Sequence, residues 1–303
     1  MYFFKKRGNS MGISSKSEDK NTNKNIEAMH IQALQESMSS VKYKYLAMSS
    51  KGGVGKTSVL VNLALSLSKQ GVKVGLMDAN FQGPDVHRML GLDPAVGGNS
   101  VERLSPVAYS DDLQVVSIES MMHPMDETGI WGTPLKISDI RRFVCSVTWG
   151  PLEHLFIDTP SGPSEELLTI IRGIPDVKII IVTAPNRISR ELAQKMINFF
   201  NNEQVPIFGW IENMRGFLCQ GCGLRQKMLG TGSVGRAFFL KEIPFLGRIP
   251  IDPHIADCID AGEPFLEKHP ESEVAEAYKL ISEKIMWGNQ HKLFDDKSTY
   301  YDL

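Results

Sequence analysis

The chain of 303 residues is long enough for one large domain or two small ones with a sizeable core. A hydrophobic content of 42% and a charged content of 22% are ordinary for a soluble globular protein, and a formal charge of −2 gives no sign of a nucleic-acid-binding or polybasic membrane surface. No apolar run approaches the ~18 residues of a membrane-spanning helix, and 4 cysteines in a chain of this length do not suggest a disulfide framework. We therefore predict a cytoplasmic, reduced protein.

The predicted elements begin after a polar N-terminal extension. Residues 1–25 are rich in Lys, Ser and Asn and have no apolar periodicity, which predicts disorder. Residues 26–40 place apolar side chains at helical spacing and are predicted to form an amphipathic helical arm. We predict one folded domain over residues 41–290 and a polar tail over 291–303.

Apolar runs alternate with helical segments throughout the predicted domain. The predicted strands are 43–48, 72–77, 113–118, 154–158, 178–183, 207–211 and 245–247. The predicted helices are 57–69, about 136–146, 164–173, 188–202 and 272–286. Continuous apolar runs are typical of buried parallel strands, and alternating strands and helices are typical of a doubly wound sheet. We predict an α/β fold with a doubly wound, mostly parallel sheet in a single domain.

A glycine-rich loop lies between the first predicted strand and the first predicted helix. Its sequence, SSKGGVGKTS, has Ser50 where a strict P-loop pattern has its first Gly. Glycines let the backbone wrap closely, so that successive amides point at phosphate groups beside a helix N-terminus. Lys56 is predicted to reach the β- and γ-phosphates, and the Thr57 hydroxyl to bind Mg²⁺. The predicted nucleotide-binding residues are Gly52, Gly53, Val54, Gly55, Lys56, Thr57 and Ser58.

Two acidic residues stand at the ends of later predicted strands. Asp78 follows VKVGLM and Asp158 follows EHLFI. Phosphoryl transfer needs carboxylates at strand ends to organise Mg²⁺ and water, although such an aspartate is often only a helix cap. Because both aspartates lie downstream of a P-loop, a functional role is favoured over a capping role. Asp158 is then the Walker B acid, bound to Mg²⁺ through water, and Thr57 binds the same ion. Gly162 could let the following loop move toward the γ-phosphate.

A C-x-x-C pair follows the sixth predicted strand. Cys219 and Cys222 can hold one metal centre between two thiolates, which is half of a tetrahedral or iron–sulfur site. The other two cysteines, Cys145 and Cys258, are isolated and are expected to pack in the core. A symmetric dimer would supply four thiolates at its two-fold axis. On spacing alone, a zinc site shared between subunits and a redox dithiol remain open alternatives.

Several stretches resemble known families. The sequence KGGVGKT resembles the deviant Walker A loop of the MinD/ParA/nitrogenase-iron-protein superfamily. Three further stretches resemble segments of its Mrp/ApbC branch: DANFQGPDVHRMLGL (78–92), WGPLEHLFIDTPSGPSEELLTI (149–170) and GWIENMRGFLCQGCG (209–223). The resemblance covers roughly residues 26–290. It implies a P-loop ATPase domain of the SIMIBI type and an ATP-binding iron–sulfur cluster scaffold or carrier, in a short prokaryotic form.

The resemblance also implies roles for individual residues. Lys51 matches the lysine that reaches the partner's nucleotide in an ATP-sandwiched homodimer, so it joins Lys56, Asp78 and Asp158 as a catalytic candidate. Asn213 matches the residue that contacts the adenine base, and Pro250 lies in the matching loop on the base's other side. The cysteine pairs of two subunits would hold one bridging [4Fe–4S] cluster, destined for apo iron–sulfur proteins.

The chain departs from the family pattern at two positions. Asn80 replaces the switch I carboxylate that helps to position the attacking water, and an amide cannot accept a proton. We therefore predict weak ATP hydrolysis. Gly132 stands where the family usually has Arg.

A MinD/ParA-like spatial-regulation ATPase with a structural zinc is the alternative hypothesis. Such a protein should end in a basic amphipathic membrane helix and needs no cysteines. This chain ends in the acidic, polar sequence KLFDDKSTYYDL. We expect no nucleic-acid partner and no stable membrane association.

Overall fold

The computed structural model describes residues 37–49, 51–93, 104–121, 137–218, 221–226, 238 and 241–291. The predicted disordered extension, residues 26–36 of the predicted helical arm and Gly132 lie outside these ranges, as does nearly all of the polar tail. The proposed division of the chain at residues 25, 40 and 290 stays a prediction.

The described strands form one large sheet and one small hairpin. They are β1 (Val41–Ser49), β2 (Val74–Asp78), β3 (Val107–Ser110), β4 (Leu113–Ser117), β5 (Leu152–Asp158), β6 (Val177–Thr183), β7 (Ile207–Glu212), β8 (Phe217–Leu218), β9 (Arg225–Gln226) and β10 (Phe245–Arg248). The large sheet has 8 strands in the order β10-β7-β6-β1-β5-β2-β4-β3, all parallel except β3, which pairs antiparallel with β4 at one edge. Strands β8 and β9 pair antiparallel as a separate hairpin.

Helices cover both faces of the large sheet. They are α1 (Lys56–Ser68), α2 (Val86–Met89), α3 (Ile137–Ser146), α4 (Glu165–Gly173), α5 (Arg187–Asn202), α6 (His254–Ala261), α7 (Phe265–Lys268) and α8 (Glu273–Gln290). Apolar residues of α3, α4 and α5 belong to one core cluster, and those of α1 and α8 to the other. Because the central strands are buried on both faces, they are continuous apolar runs rather than alternating ones. The predicted doubly wound, mostly parallel fold is confirmed.

The predicted strands and helices all occur, with small differences in their bounds. The largest difference is in α8, which was predicted to end at residue 286 and continues to Gln290. Asn289 is held there by tertiary structure, because its side chain accepts a hydrogen bond of 2.6 Å from the Tyr45 hydroxyl. The edge strand β3, the hairpin and the helices α2, α6 and α7 were not predicted, since each is short and has little periodicity of its own. None of the described helices is both long and apolar enough to span a bilayer.

Candidate functional site

The glycine-rich loop joins the carboxyl end of β1 to the first turn of α1. Gly53 and Gly55 have φ angles of 77° and 79°, a region that glycine enters at little cost. Gly55 immediately precedes α1 and has no side chain to cap it, so the first-turn amides of the helix remain available to an anion. The loop therefore has the backbone geometry of a phosphate cradle. Lys51 and Gly52 are exposed on it, and Ser50 lies outside the described residues.

The tertiary fold brings three predicted site residues into contact beneath this loop. Lys56 forms a buried ion pair with one carboxylate oxygen of Asp158. The hydroxyl of Thr57 donates a hydrogen bond of 2.6 Å to the other oxygen. Asp158 is fully buried at the end of β5, so the loop lysine and hydroxyl compensate its charge. A hydroxyl and a carboxylate are oxygen ligands of the kind that Mg²⁺ prefers, so this set fits the predicted metal.

Asp78 ends the neighbouring strand β2 and lies directly opposite Asp158 in the sheet register. Its oxygens accept hydrogen bonds from the backbone amides of Asn80 at 3.0 Å and Val86 at 3.1 Å. Burial raises the pKa of Asp78 to about 8, and the nearby charge of Asp158 adds to the rise. Asp78 thus holds the loop after β2 in place through these two hydrogen bonds.

Asn80 is engaged in a local turn. Its side-chain amide donates a hydrogen bond of 2.9 Å to the carbonyl of Gly83, whose own amide donates 3.1 Å back to the Asn80 carbonyl. An ionised aspartate could not donate the first of these bonds. The departure from the family pattern therefore has a structural consequence as well as the predicted chemical one.

The loop after β5 is attached to the end of β1. The Gly162 amide donates a hydrogen bond of 3.1 Å to the Ser49 carbonyl, and the Ser49 hydroxyl donates one of 3.3 Å to Ser161 Oγ. Gly162 has a φ of 83°, which favours glycine at this position. The predicted movement of this loop toward the γ-phosphate stays a prediction.

Asn213, at the end of β7, contacts the phosphate loop directly. Its side-chain amide donates a hydrogen bond of 2.8 Å to the Val54 carbonyl, and the side chain is buried. A methyl group on Gly55 would lie 2.5 Å from Asn213 Nδ2, so the close approach requires glycine there. Pro250 is half-buried, and the amides on either side of it bind the chain at and after the end of β7. The Ile249 amide donates a hydrogen bond to the Glu212 carbonyl, and the Ile251 amide donates one to the Gly216 carbonyl. Asn213 and Pro250 therefore belong to one structural unit, and their contacts with adenine stay predictions.

One group of side chains near the site was not predicted. Glu212 is buried, with one carboxylate oxygen 3.6 Å from Arg215 Nε and 3.4 Å from Arg248 Nε. Burial raises the pKa of Glu212, and the two guanidinium groups oppose the rise. The glutamate at the end of an apolar strand was a sequence signal for a buried pair, but its two partners could not be identified without the order of the strands.

The described part of the C-x-x-C region is the turn of the β8–β9 hairpin. Cys222 is exposed in this turn, and Cys219 lies outside the described residues. Cys258 is buried and Cys145 is half-buried against the core, as expected. Among the described residues, no group of three or more His, Cys, Asp or Glu side chains is placed to hold a metal ion. The hairpin thus presents a cysteine to solvent, and the sequence supplies a second one three positions earlier.

The sequence matches a family model and is similar to curated relatives. Residues 40–286 match the ParA family described as NUBPL iron-transfer P-loop NTPase. Proteins named iron-sulfur cluster carrier protein are 35% identical over 265 residues in Saccharolobus solfataricus and 37% identical over 266 residues in Methanocaldococcus jannaschii. These alignments cover 87% and 86% of this chain and 89% and 91% of the relatives.

Solved structures show the same architecture. A nucleotide-binding protein from Archaeoglobus fulgidus in complex with ADP superimposes with a TM-score of 0.68 at 30% identity, covering 82% of this chain and 96% of that chain. The septum site-determining protein MinD of Pyrococcus horikoshii, complexed with Mg-ADP, superimposes with a TM-score of 0.61, covering 83% of this chain and 99% of that one. At 22% identity the second likeness concerns the fold alone. Together, the family match and the carrier relatives show that this chain belongs to the ParA family of NUBPL-type iron-transfer P-loop NTPases.

Proposed function

We propose that this protein is an ATP-binding carrier of iron–sulfur clusters, which holds a labile cluster between two copies of the chain and transfers it to apo-proteins. The observation that carries the proposal is the exposed Cys222 in a hairpin turn, one half of a C-x-x-C pair, on a chain whose relatives are named cluster carriers. A cargo that must leave the protein needs ligands at the surface, where an acceptor's thiolates can approach.

The number of ligands supports a dimer. Two thiolates from Cys219 and Cys222 are half of the four that a [4Fe–4S] cluster takes. Two copies related by a two-fold axis supply four. Lys51, exposed on the phosphate loop, is proposed to reach the partner's nucleotide in the same dimer.

The nucleotide is proposed to bind at the phosphate loop as Mg-ATP. The loop amides and the Lys56 ammonium would hold the phosphates, while Thr57 and Asp158 would hold the metal. Bound Mg²⁺ supplies positive charge that offsets the negative charge of the phosphates. Asn213 and Pro250 are proposed to enclose the base. Because Asn80 cannot act as a carboxylate, hydrolysis is proposed to be weak and ATP to act chiefly through binding.

Anaerobic reconstitution with iron and sulfide tests the proposal, with visible absorption and native mass as readouts. We expect a dimer that carries one cluster, and loss of the cluster in Cys219→Ser/Cys222→Ser. The matched control, Cys145→Ser/Cys258→Ser, removes the same number of thiols from packed positions and should keep the cluster. A chelator-competition assay with an apo-ferredoxin then follows transfer.

A colourless dimer that retains zinc at Cys219 and Cys222 would overturn the proposal. Those cysteines would then be structural, and a regulatory ATPase that acts on protein partners would be the better hypothesis. A cluster that persists in Cys219→Ser/Cys222→Ser would equally contradict it, because the proposed ligands would not be the true ones.

A further inference from the structure

The connection between β7 and β8, residues 213–216, contacts the phosphate loop at one end and leads into the β8–β9 cysteine hairpin at the other. Asn213 donates its side-chain hydrogen bond to Val54 in the loop, and β8 begins four residues later at Phe217. Cys222 lies in the turn after β8. If the phosphate loop displaces Asn213, only a few residues separate that displacement from the hairpin, so the hairpin should move as well.

Met214, inside this connection, has an unusual backbone conformation. Its φ is 60°, in the left-handed region, which is unfavourable for a residue with a β-carbon. The other non-glycine residues with positive φ in the described part of the chain are all polar: Asp176, Gln204 and Glu242. A left-handed methionine calls for a compensating contact, because strained residues persist where the surrounding structure holds them.

That contact is with the phosphate loop. The Met214 Cε atom lies 3.6 Å from the position that a methyl group on Gly55 would occupy, beside the Asn213 amide. Met214 is half-buried, and its terminal methyl group lies beside the loop where Gly55 leads into α1. The consecutive side chains of Asn213 and Met214 therefore both lie beside the same loop residue, Gly55.

The hairpin side of the connection is also anchored. The Arg215 amide donates a hydrogen bond of 2.9 Å to the Ile249 carbonyl, and the Ile251 amide donates one of 2.8 Å to the Gly216 carbonyl. Gly216 has a φ of 80°, so the chain turns sharply again before β8. Met214 is therefore the point where the loop-facing and hairpin-facing halves of the connection meet.

We propose that Met214 is a positioning residue that transmits the state of the phosphate loop to the cysteine hairpin, so that bound nucleotide changes the exposure of Cys222. The inference rests on the proposed carrier function for its biological meaning, since Cys222 is there a ligand of the cargo. Its physical content, a link between loop and hairpin, does not require a cluster.

The test measures the rate at which iodoacetamide alkylates Cys222 in the cluster-free full chain, followed by peptide mass spectrometry. Rates are compared with and without saturating Mg-ATP, at a concentration where native mass gives the same oligomeric state in every sample. We expect a change of about fivefold or more in the parent, in line with ordinary coupling between sites. In Met214→Gly, which keeps the left-handed backbone but removes the side chain, the two rates should become equal. Met214→Leu, which restores apolar bulk, should recover most of the nucleotide effect.

The matched control is Gln204→Gly, which makes the same kind of change at φ 57° in a turn after α5. It should keep the nucleotide effect of the parent. The proposal is overturned if the parent shows no nucleotide effect, if Met214→Gly retains it, or if Met214→Gly no longer binds ATP. Failure of cluster reconstitution would instead contradict the carrier function. It would not affect the alkylation test, because that test uses the cluster-free protein.

Discussion

Asp78 and Asp158 stand opposite each other at the ends of two neighbouring parallel strands, and both are fully buried. Asp158 has the Lys56 ammonium as its counter-ion, whereas the hydrogen bonds to Asp78 come from backbone amides. Burial raises the pKa of Asp78 to about 8, and the neighbouring negative charge of Asp158 adds to the rise. Both effects disfavour a second negative charge beside Asp158, whose own charge the Lys56 ammonium compensates.

The first prediction concerns this compensated charge. Asp158→Ala leaves the Lys56 ammonium buried without its counter-ion and should lower the free energy of unfolding by about 3 kcal/mol, measured by urea denaturation without nucleotide. Lys56→Ala should also destabilise, because it leaves the carboxylate unpaired. The double variant should lose clearly less stability than the sum of the two single losses, since it leaves no unpaired charge of this ion pair in the interior. Additive losses would contradict a direct coupling between the two residues.

The second prediction concerns the close approach at Gly55. Gly55→Ala places a methyl group 2.5 Å from Asn213 Nδ2, in addition to straining a backbone with φ 79°. Gly71→Ala is the matched control, because Gly71 has a φ of 77° and no atom of the described residues lies within 4 Å of an added methyl group. Gly55→Ala should lower the unfolding free energy by about 1 to 2 kcal/mol more than Gly71→Ala does, and it alone should impair nucleotide binding. Equal losses would mean that Asn213 moves aside freely.

The third prediction is a pH dependence that originates at the opposite end of the sheet. His154 is fully buried in β5, with its ring 5.4 Å from that of Tyr43 and 5.9 Å from that of Tyr45. Neither ring nitrogen has a hydrogen-bond partner among the described residues. Burial lowers its pKa to about 4, with the positive charge of Lys42 adding to the effect. The unfolded chain binds this proton near pH 6.5 and the folded chain only near pH 4. The stability contributed by neutral His154 is therefore complete above pH 6.5 and lost progressively down to pH 4.

His154→Phe should remove this dependence, because the ring contacts remain and no hydrogen bond is lost. The free energy of unfolding of the variant, relative to that of the parent, should rise by about 3 kcal/mol as the pH falls from 6.5 to 4, corresponding to the shift in the pKa of His154. Denaturation curves at several pH values in this window measure it. A constant difference between variant and parent would show that His154 is not held neutral by the fold.

The fourth prediction concerns ATP turnover. Asn80→Asp restores the carboxylate of the family pattern and should raise steady-state phosphate release by about tenfold or more, in keeping with the usual contribution of a positioned acid–base group. Asn80→Ala also loses the hydrogen bond to Gly83 but gains no carboxylate, so it separates the two effects. No increase in Asn80→Asp would mean that the loop conformation, not the missing carboxylate, limits hydrolysis.

Much of the site could be predicted because its signals are local. The phosphate loop is a contiguous stretch, and Asp78 and Asp158 stand where apolar runs end, so periodicity and residue type were sufficient to select them as candidates. The hairpin that carries Cys222 was not predicted, because its strands have two residues each and no periodicity to recognise. Met214 lies in the motif GWIENMRGFLCQGCG, but nothing in its residue type indicates a left-handed backbone.

The sequence by itself determined the α/β class, the phosphate loop and the cysteine spacing, since each depends on residues close together in the chain. Only the tertiary structure decided the contacts between distant segments: Lys56 with Asp158, 102 residues apart, and Asn213 with Val54, 159 residues apart. The physical reason is that these contacts depend on the order of strands in the sheet. Hydrophobic periodicity establishes which faces of a strand are buried, but it does not specify which strands become neighbours.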